Sequence, residues 1–63
     1  MVYRVVTVRN GTEDHDAIPY QRVDDALTYI KDQWRRGLAD SARIEDANYN
    51  RILWPDIRKR LDI

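Results

Sequence analysis

The densest run of side chains that could do chemistry is Glu13-Asp14-His15-Asp16. Adjacent carboxylates and an imidazole are the donor types of divalent-cation sites. A calcium loop of the EF-hand kind would also need a glycine at its bend and a bidentate glutamate at its twelfth position, and neither is present. Zinc would need more nitrogen donors than one histidine supplies. The run therefore reads as an acidic segment that meets solvent or a basic partner. No metal and no other cofactor is expected.

Nucleophilic catalysis would fall to Ser41 or a threonine, with His15 as the one histidine base. No motif spacing joins them. The carboxylate pairs Asp24-Asp25 and Glu45-Asp46 are candidates for acid-base work. Neighbours on a helix diverge, however, and a two-carboxylate site needs a cleft between its members. With Gly11 and Gly37 as its two glycines, the chain has no phosphate-binding loop. The sequence predicts a protein that is not an enzyme.

The remaining chemistry is recognition. One set joins the acidic Glu13, Asp14 and Asp16 to the aromatic Tyr49 and Trp54, as a surface for a larger protein partner. The competing set is Arg51, Arg58, Lys59 and Arg60, with Tyr49 and Trp54 nearby. Basic groups interleaved with aromatics hold phosphates and stack bases. Asp56 and Asp62 flank this basic run and dilute its field. Eleven basic and eleven acidic side chains give a formal net charge of zero, which disfavours duplex binding. The halves differ in sign: residues 1–32 are net acidic and residues 33–63 net basic. Opposite poles suit docking onto charged partners.

These side chains must be positioned by a core that a chain of 63 residues can barely build. One domain, residues 1–63, is expected. There is no cysteine to supply a disulfide. Val23, Ala26, Leu27, Ile30, Trp34 and Leu38 recur at helical spacing and predict the main helix over Val23–Leu38. Asp24 and Asp25 oppose the dipole at its start, and Gly37 suits the residue just past its end. Trp34 is expected in the core and Trp54 either in the core or at a partner surface.

Val2 to Arg9 alternates as a strand with apolar groups on both faces. Asn10-Gly11 then marks a type I′ turn. The arm that would follow, Thr-Glu-Asp-His-Asp, is a poor strand, so an exposed loop is predicted there, with a short extended piece at Ala17–Tyr20. Arg43 to Trp54 reads as a hairpin turning at Asn48-Tyr49-Asn50, in preference to a second helix. Pro55 opens a short C-terminal helix that packs through Ile57 and Leu61.

The fold class is therefore α+β. A three-stranded sheet carries the main helix on one face, in the order β-α-β-β-α, with the short C-terminal helix closing an edge. The open face, with Tyr3 and Val5, is expected to be a contact surface. A homodimer that pairs Val2–Arg9 or packs that face is favoured over a monomer closed by the C-terminal helix. Met1–Val6 lacks a basic region followed by an apolar run, and no apolar stretch approaches the ~20 residues of a membrane span. A cytoplasmic location and no membrane partner are expected. The function expected is a small interaction module, an adaptor or an inhibitor of the kind encoded by phage and other mobile elements. Nucleic-acid binding is the alternative.

Overall fold

The computed structural model describes residues 2–63. Its elements run β1 (Tyr3–Arg9), β2 (Thr12–His15), α1 (Val23–Arg35), β3 (Ser41–Asp46), β4 (Arg51–Ile52) and α2 (Trp54–Leu61). The α+β class and the two helices are as the sequence predicts. The sheet has four strands rather than three, ordered β2-β1-β3-β4 and antiparallel throughout.

The additional strand is the arm after Asn10-Gly11. Both turn residues have positive φ, 52° and 79°, as a type I′ turn requires. That turn sets the register, with Arg9 opposite Thr12 and Val6 opposite His15. All four residues of β2 are exposed, so its polar side chains cost nothing in burial. Turn geometry outweighs weak strand propensity at an edge. Pairing then resumes at one point: Tyr3 and Tyr20 exchange both backbone hydrogen bonds, at 2.7 and 2.8 Å.

α1 starts at Val23 without a side-chain cap, and Asp24 and Asp25 lie in its first turn. It ends in a Schellman motif. The Leu38 amide donates to the Gln33 carbonyl and the Gly37 amide to that of Trp34, with Gly37 at φ 72°. Asp32 and Arg36 pair one turn apart at 3.3 Å. Trp34 is a correction to the expected core. The buried residues of α1 are Ala26, Leu27 and Ile30, and Trp34, one turn further on, is 38% exposed. α2 spans two turns and supplies one buried residue, Ile57, and the core takes no residue of α1 beyond Ile30.

The core lies between the helices and one sheet face: Val5, Ala42 and Ile44 from the strands, Ala26, Leu27 and Ile30 from α1, Ile57 from α2. Tyr3 and Trp54 pack against it, half-buried. Tyr3 and Val5 thus face the helices, and the uncovered face belongs to Arg4, Val6 and Val8. β1 (Tyr3–Arg9) lies between β2 and β3, so the expected pairing of Val2–Arg9 across a dimer finds no free edge on this strand. Among the described residues no helix is long and apolar enough to cross a membrane.

Candidate interaction surface

Strand alternation and register assign the uncovered face residue by residue. Arg4, Glu45 and Arg51 form one cross-strand row on β1, β3 and β4. His15, Val6 and Arg43 form the next, on β2, β1 and β3. Glu13, Val8 and Ser41 form the third. Charged side chains thus surround a valine pair on the central strand.

Val6 is only 1% exposed although no helix covers it. Its cover is Arg43. The Arg43 Nη1 lies 2.6 Å from Glu13 Oε2, which takes the side chain from β3 across β1 to β2, a span of about 10 Å at ordinary strand spacing. Its aliphatic stem shields the valine while the guanidinium remains paired. Arg43 Nε also reaches Glu45 Oε2 at 3.3 Å, and Arg51 Nε forms an ion pair with the same oxygen at 2.9 Å. His15 Nε2 stands 3.8 Å from Glu13 Oε1. The Arg43 hydrogen bond and charge hold the Glu13 carboxyl below its ordinary range, and the Glu13 hydrogen bond raises Arg43 in turn.

At the β3–β4 end the face meets a turn locked by Asp46. Its Oδ1 accepts from the amides of Asn48 (2.8 Å) and Asn50 (3.0 Å), and its Oδ2 accepts from Asn50 Nδ2 at 3.2 Å. Burial would raise the Asp46 carboxyl, but these donors together hold it below its ordinary value. The turn presents Tyr49, 90% exposed and in the left-handed region at φ 62°. That conformation is uncommon for a bulky side chain and carries strain. Beside it a groove of about 520 Å³ is lined by Val2, Arg4, Glu45, Asp46, Ala47, Tyr49 and Arg51.

The residues singled out from the sequence are dispersed. Glu13 and His15 point to the open face and Asp14 to the other, so the acidic run does not converge. Asp16 is occupied within the chain: it accepts from the Ile18 amide (3.2 Å) and the Tyr20 hydroxyl (3.0 Å). Burial, followed by that hydrogen bond, pushes the Tyr20 hydroxyl up to about 12. Among the described residues no three metal-binding side chains come together. Tyr49 lies at the opposite edge of the sheet from β2, and Trp54 begins α2 against the core. Arg51 is on the open face, whereas Arg58, Lys59 and Arg60 are on α2 in the helix layer, so the basic set is split. Ser41 and His15 flank β1 from two sides, on different rows.

Sequence reasoning missed Arg4 and Arg43, and weighed Glu45 only as an acid-base candidate beside Asp46. Alternation places Arg4 on one face of β1, but nothing local shows that β1 lies between Glu13 and Arg43. Comparison with protein families, with characterised proteins and with solved structures gives no match for this chain.

Proposed function

We propose that this protein is a small non-enzymatic interaction module, an adaptor or an inhibitor that seats on a larger protein through its uncovered sheet face. The observation that carries the reading is Tyr49: a large aromatic side chain almost wholly in solvent, on a turn locked by Asp46, beside Arg4 and Arg51. Tyrosine and arginine are enriched where a few residues supply most of an interface's affinity. A turn already fixed by hydrogen bonds loses little further freedom on binding. The separation of His15 from Ser41, and the dispersal of the acidic run, favour binding over catalysis.

The test is affinity capture on the immobilised chain from a lysate of the encoding cell, treated with nuclease and washed at moderate salt. A protein retained by the native chain and lost with Tyr49→Ala is the expected result. Retention of nothing, or equal retention by the variant, would overturn the reading.

A further inference from the structure

The groove beside Tyr49 has a charge pattern that narrows what it can hold. Glu45 is shared by Arg43 and Arg51 through one oxygen, and Asp46 is taken up by its turn. Arg4 has no carboxylate within ion-pair distance among the described residues, and Arg51 uses only its Nε. The groove therefore offers free guanidinium donors at Arg4, suited to bidentate binding of a single carboxylate. Two arginines and two carboxylates line it, so its net charge is near zero. That balance disfavours a continuous run of phosphates, whose binding grows with uncompensated positive charge. Between the charges lie Val2, Ala47 and the Tyr49 ring, an apolar strip next to the free arginine.

Resting on the interaction-module reading, we propose that this groove holds a short acidic–apolar segment of the partner protein, with one carboxylate on the Arg4 guanidinium and a neighbouring apolar side chain against Val2, Ala47 and the Tyr49 ring. The occupant is identified by complementarity: one negative charge for the groove arginine that has no ion-pair partner among the described residues, and one apolar group for the strip beside it.

The experiment selects short random peptides, displayed on phage, against the immobilised full chain. Selected peptides are then labelled with fluorescein and titrated by anisotropy. The expected peptides carry Asp or Glu next to an aliphatic or aromatic residue. Their affinity falls about tenfold or more with Arg4→Glu, with Tyr49→Ala, and when the peptide's acid is replaced by its amide. Lys59→Glu, in the helix layer, leaves it unchanged. Circular dichroism of each variant separates lost binding from lost fold. Selection of peptides without an acid, or indifference to Arg4→Glu, overturns the inference. So does tighter binding of a labelled oligothymidylate, which gives the groove to single-stranded nucleic acid. A sedimenting dimer dissolved by Arg4→Glu overturns it in favour of a second copy. If cellular capture still depends on Tyr49 while Arg4→Glu has no effect, the interaction module stands and this inference alone fails.

Discussion

Arg43 on β3 and Glu13 on β2 are joined at 2.6 Å over the top of β1, and the strand between them buries Val6 beneath that bridge. A sheet face without helices is normally wet. Here one long side chain, anchored at its far end by a carboxylate, closes part of it. The charges around it bear on binding as well as stability, because the same network takes up Arg43 and Arg51 and leaves Arg4, on the same face, unpaired among the described residues.

Arg43→Ala uncovers Val6 and leaves Glu13 and Glu45 without their shared cation. The expected loss is about 1 kcal/mol, since the pair is partly solvated. Arg43→Met keeps a stem over the valine and should recover part of that loss. Urea unfolding of the two variants measures both; equal losses would show that the stem shields nothing.

Stability should decline on acidification in a defined way. The folded-state carboxyls of Glu13 and Asp46 sit below their ordinary values of 4.5 and 3.8. Their contribution is therefore complete above those values and lost as pH falls through the lowered ones. Glu13→Gln and Asp46→Asn should each flatten the acid limb of a melting-temperature profile.

At the alkaline end the sign reverses. Tyr20 has its hydroxyl raised from 10.0 to about 12, by burial first and by Asp16 second. Tyr29 is raised by burial and by Asp16, Asp14 and Asp32. The folded state holds these protons longer than the unfolded chain, so stability falls as pH rises from about 10 towards 12. Tyr20→Phe should lessen that fall in the same profile.

Ile30→Ala and Trp34→Ala separate the helical stripe from the actual core. Ile30 is fully buried and should cost about 2–5 kcal/mol, enough to unfold much of a small domain. Trp34, near the surface, should cost under about 1 kcal/mol. Comparable losses from calorimetry would place Trp34 in the core after all.

Tyr49→Asn tests whether stability or binding holds the tyrosine in place. Asparagine tolerates the left-handed region better, so the variant should be neutral or more stable by up to about 1 kcal/mol. Loss of partner capture without loss of melting temperature is the expected pairing.

The helices were legible because their signals are local. The apolar stripe, the acidic first turn and Gly37 bracket α1, while Pro55, Ile57 and Leu61 define α2. The Asn48–Asn50 turn was legible for the same reason. What the sequence left hidden depends on neighbours distant in the chain. Thr12–His15 looked unfit for a strand when judged by side chains, yet the preceding Asn10-Gly11 turn commits its backbone to pair with β1. The stripe places Trp34 on the right side of α1 but cannot say where along it the core ends. Glu13 and Arg43 are thirty positions apart, and only the strand order brings them to one face.

The pairing of Val5 with Ile44 also governs how the chain folds. The β1–β2 and β3–β4 hairpins close over short turns, an event that takes about 1–10 μs for a hairpin. Neither buries a core alone, because each brings one strand of the central pair and one polar or very short edge. Joining β1 to β3 closes a long loop that contains α1, and this entropic cost falls before most apolar contacts are made. Pairing β1 with β3 should therefore limit the folding rate, and Ile44 and Val5 are where slowing mutations should concentrate. A chain cut between Leu38 and Ser41 should yield two fragments that are unfolded apart and fold only when mixed.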